Sequence, residues 1–369
     1  GPVKGFATTL IIGIFTSFFA AVVITRLIVT SFVDKDKKIS FSSKLTVNWF
    51  TKTNIQFVKS RKKFYILSTA IIVLGAVSLV SRGLDYGVDF AGGRQYKVVF
   101  EDKADYEGLK STLKEKFEDN QPGVKMVDNA YTALITTKYR IEDVGTDSTD
   151  VNDEVEGLLV EGLIEMAEKA GLDPLEAVNS YRIEEQKMIA PTISKDLKSN
   201  SFYAIGFSLV IIFLYILFRF RKWQYGLGAL IAMAHDVLIV LSIFSIAYGW
   251  IGFSMEIDQA FIAAILTVVG YSINDTVVVF DRIREYLGLY PKKDRKEVIN
   301  MALNSTLGRT VNTSVSTFIV LLVIFLFGGA AIKGFVFALM IGVVVGTYSS
   351  LFIATPAVID FEKKQDETK

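Results

Sequence analysis

The side chains with the clearest chemical potential in this chain are polar and ionisable groups inside otherwise apolar segments. His235 and Asp236 stand midway along one apolar run, and Asn274 and Asp275 stand near the end of the next. Arg309 begins a third run. An ionisable group in hydrocarbon costs at least ~2.5–3.5 kcal/mol on insertion scales, so each of these groups needs a function or a partner.

A stripe of hydroxyl and amide side chains follows Arg309. Its members recur at three- and four-residue intervals and therefore share one helix face. They are Asn312, Thr313, Ser316 and Thr317. Because consecutive membrane helices run antiparallel, Asp275 and Arg309 fall in the same half of the membrane, where the two could meet.

Two roles fit this set of residues. The first is a buried ion pair that fixes helix packing. The second is a proton path, because a carboxylate in a medium of low dielectric holds its proton more tightly and a nearby arginine opposes this. We favour the proton path, since two aspartates and a hydroxyl stripe on three consecutive spans exceed what one ion pair needs. His235 stays open between a relay member and an interhelical hydrogen bond.

The composition places these residues in a membrane protein. Of 369 residues, 51% are hydrophobic and 21% are charged, a mixture that requires apolar spans and a separate polar portion. The net charge of +1 argues against a nucleic-acid partner. The absence of cysteine and the single histidine exclude a disulfide framework and most zinc chemistry. No P-loop motif or nucleophile–base pair occurs, so we expect no enzyme and no cofactor beyond a coupling ion.

Seven apolar stretches are long enough, or nearly long enough, to span a bilayer as helices. They are residues 5–29, 64–81, 202–218, 227–250, 259–280, 310–332 and 334–359. Lysine and arginine concentrate between spans one and two, after span three and after span five, so these loops are expected in the cytoplasm. The C-terminal tail, 360–369, is then cytoplasmic, and residues 82–198 form an extracytoplasmic domain.

The extracytoplasmic domain has the pattern of a small α+β sandwich. Alternation predicts strands over 94–100, over 125–137 as one strand or a hairpin, and over 178–189. Helical spacing marks 104–119 and 153–170. This order predicts a ferredoxin-like domain attached to a multi-pass α-helical bundle.

An internal repeat links the first and last spans. The tripeptide Lys4-Gly5-Phe6 and the apolar pattern after it recur from Lys333 at a constant offset of 329 residues. Both copies run in the same direction, so the repeat is parallel. Span one is then the last helix of a first repeat, and residues 64–359 form a second repeat. Because the other helices of the first repeat are absent, we expect an uncovered polar face beside Asp275. The alternative is shared ancestry of helical hairpins without a transport role.

Four motifs carry a resemblance to a known family. They are GVDFAGG at 87–93, AHDV at 234–237, GYSINDTVVVFDRIRE at 270–285 and RTVNTS at 309–314. Together they resemble the SecF half of SecDF, of the resistance-nodulation-division superfamily, over residues 64–359. Residues 1–29 resemble the end of SecD. One departure is Ile-Ala-Pro at 189–191, where many relatives have Val-Gly-Pro, and it bears on the exit from the soluble domain.

The resemblance implies a domain organisation. Residues 1–29 would be the last transmembrane helix of a SecD-like repeat, and 30–63 a basic cytoplasmic linker. Residues 64–81 would be the first SecF-like helix, 82–198 the periplasmic domain and 199–359 the remaining five helices. The resemblance also implies that the chain lies in the bacterial inner membrane. Its implied partners are the lipid bilayer, the missing SecD portion, the SecYEG channel, the unfolded polypeptide that is exported, and YajC and YidC.

The resemblance also implies a function. A SecDF-type protein uses the proton gradient to promote polypeptide export, with Asp275 and Arg309 as coupling residues and Asp236 and Thr313 beside them. The coupling ion would be the proton, with sodium as the other candidate. Two functions remain as alternatives: an exporter of small molecules or lipids from the same superfamily, and an uncoupled structural scaffold of the translocon.

A glycine-rich segment joins span two to the soluble domain. Gly87, Asp89, Gly92 and Gly93 are candidates for a hinge that transmits movement between the two parts. The alternative is that the glycines only supply positive φ angles where a helix exits into a strand.

Overall fold

The computed structural model describes residues 2–35, 50, 53–118, 122–127, 131–143, 148–251 and 253–367. Seven helices in this part of the chain are long and apolar enough to cross a membrane, which confirms the predicted number. Most of the predicted linker 30–63 lies outside the described residues.

The first span consists of α1 (Pro2–Phe19), a π-helical turn (Ala20–Ile24) and α2 (Thr25–Val33). The second, α3 (Phe57–Ser81), begins seven residues earlier than its apolar stretch, so the end of the basic segment is helical. A helix can continue past the hydrocarbon because its own backbone hydrogen bonds persist in water.

The soluble domain contains these elements in order: α4 (Val88–Ala91), β1 (Gly93–Phe100), α5 (Tyr106–Lys116), β2 (Gly123–Val127), β3 (Thr132–Thr137), α6 (Ser148–Lys169), α7 (Pro174–Asn179) and β4 (Tyr181–Ile189). The sheet order is β2-β3-β1-β4 and every pair is antiparallel. This is the predicted ferredoxin-like arrangement, with a hairpin at β2–β3. Helices α5 and α6 cover one face of the sheet and close an apolar core.

Two predicted elements in the domain are wrong at their starts: helix α6 begins at Ser148 rather than at 153, and the final strand begins later than predicted. The final strand begins at Tyr181 rather than at 178, because α7 occupies the preceding residues. Asp173 caps that helix by accepting hydrogen bonds from the backbone N–H groups of Leu175 and Glu176, both at 2.9 Å. Pro174 stands at the first helical position, where its missing N–H costs nothing.

The membrane bundle continues with α8 (Pro191–Phe220), α9 (Trp223–Ala247), α10 (Gln259–Leu289), α11 (Arg295–Phe327), α12 (Ala330–Ser349), a second π-helical turn (Ser350–Ala354) and α13 (Thr355–Glu367). Several bounds differ from the prediction, most of all between spans five and six, where α10 ends at Leu289 rather than at 280 and α11 begins at Arg295 rather than at 310. α8 starts at Pro191, so 191–198 belong to a membrane helix; α9 ends at Ala247; and α11 ends at Phe327 before two glycines rather than continuing to 332. Helices α9, α10 and α12 form the buried centre of the bundle.

The two π-helical turns occupy nearly corresponding places in the first and last spans: they lie 330 residues apart, one more than the repeat offset of 329. In each, a threonine hydroxyl donates to the carbonyl five residues earlier: Thr25 to Ala20 at 3.0 Å, and Thr355 to Ser350 at 3.3 Å. The similarity of the two spans therefore extends from sequence to backbone geometry.

Candidate functional site

Asp236 is the centre of a buried hydrogen-bond network and is fully shielded from solvent. Its Oδ2 atom accepts from the hydroxyl of Ser272 on α10 at 2.6 Å and from Ser349 on α12 at 2.8 Å. Its Oδ1 atom is 2.9 Å from Nδ1 of His235. The carboxylate thus connects α9, α10 and α12 at one point.

His235 extends this network to a fourth helix. Its Nε2 atom lies 2.9 Å from the hydroxyl of Ser68 on α3, and that hydroxyl shares a 2.9 Å hydrogen bond with Tyr348. Since both ring nitrogens have partners, the imidazole lies in an unbroken line of exchangeable protons from Asp236 to Tyr348. The geometry fits both a relay and an interhelical hydrogen bond.

Asp275 lies on α10, one turn beyond Ser272. It is only 4% exposed, and its Oδ2 atom has no hydrogen-bond partner among the described residues. The hydroxyl of Thr310 on α11 is also buried and without a partner in that part of the chain. Buried polar groups are nearly always satisfied, so an unpartnered carboxylate oxygen marks a site where function outweighs stability.

The structure does not bring Asp275 and Arg309 into contact. Arg309 is exposed and acts on Asp275 electrostatically, without an ion pair within 4.0 Å in the described part of the chain. Thr313 is half-buried and its hydroxyl donates to the Arg309 carbonyl at 2.9 Å. Asn274 is exposed on the opposite side of α10 from the Asp236 network.

An exposed polar face therefore runs along α10 and α11 beside Asp275. Asn274, Arg309 and Asn312 all lie on it. Span one contacts α10 nearer the start of that helix, beside Thr267, Gly270 and Tyr271. The predicted polar face is present, and nothing in the described part of the chain covers it around Arg309.

Several participants were not identified from the sequence. The hydroxyl groups of the network were missed because single hydroxyl residues in apolar helices are common and often form hydrogen bonds only to the backbone of their own helix. They belong to Ser68, Ser272, Ser349 and Tyr348. One signal was available for Ser349, which is followed by Ser350 in a strongly apolar segment. Ser350 in turn bonds the hydroxyl of Thr276 on α10 at 2.8 Å.

The glycine-rich segment connects the soluble domain to the bundle. Asp89 is 1% exposed, and its Oδ2 atom accepts from the backbone N–H of Gln259, the first residue of α10, at 3.0 Å. Its Oδ1 atom lies 2.8 Å from Nζ of Lys187 on β4. One carboxylate therefore joins the domain's edge strand to the positive end of the helix that carries Asp275.

The glycines of this segment differ in their requirements. Gly92 and Gly93 have φ values of +69° and +132°, which favour glycine. A Cβ atom on Gly93 would lie 2.9 Å from the carbonyl oxygen of Thr137. Gly87 has φ −65° and instead allows a close approach of Glu256. Positive φ explains two of the glycines, and the hinge role remains a hypothesis.

A second connection, which we call the latch, consists of Lys125, Asp85 and Glu256. Lys125 on β2 contacts Asp85 and lies 2.7 Å from Glu256 in the loop before α10. Burial lowers the pKa of the Lys125 ammonium, but the charges of Glu256 and Asp85 outweigh it, and the net pKa is raised. Lys125 therefore stays charged throughout the physiological pH range.

Replacing Gly93 with alanine should destabilise the protein by about 1–3 kcal/mol, because alanine at φ +132° is strained and its Cβ meets a backbone oxygen. The measurement is the thermal unfolding midpoint of the purified chain in detergent. Gly157→Ala in α6 is the control: no atom lies within 4 Å of its Cβ, and we expect a gain of about 0.5–1 kcal/mol. Equal midpoints for the two variants would contradict this account of the segment.

Seven spanning helices, a buried polar network at their centre and a ferredoxin-like domain inserted after the second span define a polytopic membrane protein with a polar core. The family model "Protein export membrane protein SecD/SecF, C-terminal" matches residues 172–364, and the SecD/SecF GG motif matches 77–104. The chain belongs to the SecD/SecF family.

Individual relatives agree with this assignment. The protein translocase subunit SecF of Rhodothermus marinus is 40% identical over 315 residues, which cover 85% of this chain and 96% of the relative. The SecDF subunit of Brucella abortus is 33% identical over 371 residues, all of this chain but 45% of that protein.

A solved structure extends the comparison to the fold. The crystal structure of SecDF from Thermus thermophilus, described as a translocon-associated membrane protein, superposes with a TM-score of 0.81 at 29% identity. The superposition covers 98% of this chain and 45% of the Thermus thermophilus chain. The chain thus spans nearly all of the SecF relative, but less than half of the fused SecDF proteins.

Proposed function

We propose that this chain promotes the movement of unfolded polypeptides through the SecYEG translocon and draws the energy from an ion gradient, with the proton as the coupling ion. The observation that carries this proposal is Asp275, a buried carboxylate with an oxygen that lacks a partner in the described part of the chain. No enzyme activity and no bound cofactor are part of the proposal.

The electrostatics of the site support coupling. An ionised Asp275 in a buried setting attracts the Arg309 guanidinium, whereas a protonated Asp275 does not, so proton binding changes the force between α10 and α11. One elementary charge that crosses 100 mV releases about 2.3 kcal/mol. That energy shifts a two-state equilibrium about 50-fold, enough to bias a conformational change.

Helix α10 provides a route from the ion site to the soluble domain. Asp275 lies 16 residues from the start of the helix, about 24 Å at 1.5 Å per residue. At that start Asp89 holds Gln259, and Asp89 also holds Lys187 of the domain. A shift of α10 would therefore act on the domain through a short connection whose central carboxylate, that of Asp89, is buried.

The soluble domain supports a polypeptide as the substrate over a small molecule. A cleft of about 760 Å³ lies between β1, α6 and α7. Its lining combines charged groups with apolar side chains. The apolar ones include Phe100, Met166, Leu172 and Leu175, and the charged ones are Glu101, Asp102, Lys103, Asp105, Lys169 and Glu176. A mixed, charged cleft suits a varied extended chain better than it suits an apolar drug-sized ligand.

The proposed location is the bacterial inner membrane, with the soluble domain in the periplasm and the C-terminus in the cytoplasm. The placement of basic residues supports this orientation. The proposed partners are SecYEG, the SecD portion of a longer protein, YajC and YidC.

Single cysteines test the orientation, since the chain has none of its own. A cysteine at Glu168, exposed on α6, should react with a membrane-impermeant maleimide in intact spheroplasts. A cysteine at Lys293, exposed in the loop after α10, should react only after permeabilisation. The unsubstituted chain is the control, and the reverse labelling pattern would overturn the orientation.

The function itself is tested by export of a secretory protein into inverted membrane vesicles that contain the complete protein. Collapse of the proton gradient with an ionophore should remove the stimulation that the protein adds. Stimulation that persists without any gradient would favour the scaffold alternative.

A further inference from the structure

A cavity of about 550 Å³ lies at the end of the bundle that faces away from the soluble domain. It is bounded by the starts of α9 and α11 and by α13. Four basic side chains line it: Arg221, Lys222, Arg295 and Lys296. Nothing in the proposed transport role uses these residues.

The charges in this cavity are only partly compensated. Glu362 accepts a hydrogen bond from Arg295 at 2.6 Å and a longer one from Lys222 at 3.4 Å. Asp294 is engaged as the N-cap of α11. The side chains of Arg221 and Lys296 have no hydrogen-bond or ion-pair partner in the described part of the chain. The cavity therefore offers two uncompensated positive charges to an anion.

The surroundings place the cavity at the boundary between membrane and water. Trp223 lines it and is 42% exposed, and tryptophan is enriched at this level of a bilayer. Phe218, two residues before the end of α8, is 87% exposed on the outside of the bundle. Ile299 and Ile359 supply apolar lining beside the charges. A ligand here would meet positive charge and apolar surface together.

We propose that this cavity binds the headgroup of an anionic phospholipid, with the phosphate between Arg221 and Lys296 and the acyl chains along the outer surface near Phe218. Basic pockets between membrane helices are known sites for such headgroups. Helix α9 begins without a side-chain cap, so its positive end adds to the attraction. A free phosphate would share the charge interaction but not the apolar surface.

The charge of Arg221 can be removed by a substitution that its backbone conformation favours. Arg221 closes α8 in the left-handed conformation, with φ +56° and ψ +16°, where glycine is the preferred residue. Arg221→Gly removes the charge without harming the backbone, and we expect an unfolding temperature equal to or above that of the unsubstituted chain. Lys296→Gln removes the second charge from an exposed position.

The double variant Arg221→Gly/Lys296→Gln is compared with Lys62→Gln/Lys292→Gln, which removes two exposed charges outside the cavity. Dihexanoyl-phosphatidylglycerol is titrated onto the detergent-solubilised full chain, and bound lipid is counted by native mass spectrometry. We expect about fivefold weaker binding for each cavity charge removed, or about 25-fold for the double variant. The control should bind within about twofold of the unsubstituted chain.

Three outcomes would overturn the proposal. Equal binding by the cavity variant and the control would mean that the cavity is not the site. Equal binding of dihexanoyl-phosphatidylcholine would mean that the interaction is apolar and not directed at an anion. Binding of inorganic phosphate as tight as that of the lipid would assign the cavity to a free anion. The single variant Lys296→Gln repeats the test should the double variant not fold.

Discussion

Replacement of Asp275 with asparagine is expected to abolish gradient-dependent export and to leave expression and membrane insertion near normal. Asparagine has nearly the same size and can still form hydrogen bonds, but it cannot carry a proton. A packing role would survive this change and a coupling role would not. The measurement is export by vesicles with and without an imposed pH gradient, with the complete protein.

Two further variants sharpen this test. Arg309→Met should also abolish coupling. The attraction between Asp275 and the Arg309 guanidinium depends on whether Asp275 is protonated, and methionine has no charge that could respond to that proton. Asp281→Asn makes the same chemical change on the same helix at a partly exposed position, and export should stay dependent on the gradient. Full gradient-dependent export by Asp275→Asn would make Asp275 a structural residue. Failure of both site variants to accumulate would instead support ion-pair packing.

Replacement of Asp236 with alanine is expected to have the largest effect on stability. His235 and Ser272 would each lose a hydrogen-bond partner in a site closed to solvent, and Ser349 would keep only its longer bond to the Gly346 carbonyl. An unsatisfied buried group costs about 1–3 kcal/mol, so we expect a total loss of about 3–5 kcal/mol. The measurement is the thermal unfolding midpoint in detergent and the amount of protein in the membrane.

Two conservative variants separate stability from function at this position. Ser272→Ala removes one donor and should cost about 1 kcal/mol. Asp236→Asn keeps an acceptor oxygen but no longer exchanges a proton. A normal unfolding midpoint with lost gradient dependence in Asp236→Asn would identify the network as a relay. A normal midpoint with normal coupling would identify it as packing alone.

The sequence predicted most of the fold because the periodicity of its elements is strong. The seven spans and the strands at 93–100 and 132–137 follow from runs of apolar residues and from alternation. The short α7 was missed, since six residues give too little periodicity and the cap at Asp173 resembles an ordinary turn.

The site was only partly predictable. His235, Asp236 and Asp275 stand out because charge in an apolar helix is costly. Their partners do not, since Ser68 and Ser349 are distant in the chain and meet only when α3, α9 and α12 pack together. The distance between Asp275 and Arg309 depends on how α10 and α11 pack, which no spacing in the sequence determines.

The latch has a consequence for pH experiments on this protein. Because the net pKa of Lys125 is raised above its ordinary value, its contribution is complete below the ordinary lysine pKa and is lost only as the pH rises through the raised value. A movement of the soluble domain observed between pH 6 and pH 8 would therefore originate outside Lys125.

The paired π-helical turns bear on the history of the chain. A π turn holds an extra residue, so every side chain beyond it is rotated by about 100° relative to an uninterrupted α-helix. Such a turn is rare, yet the first and last spans each have one, closed in both by a threonine hydroxyl. We infer that one insertion in an ancestral helix, followed by duplication of the whole unit, would account for both turns with a single event.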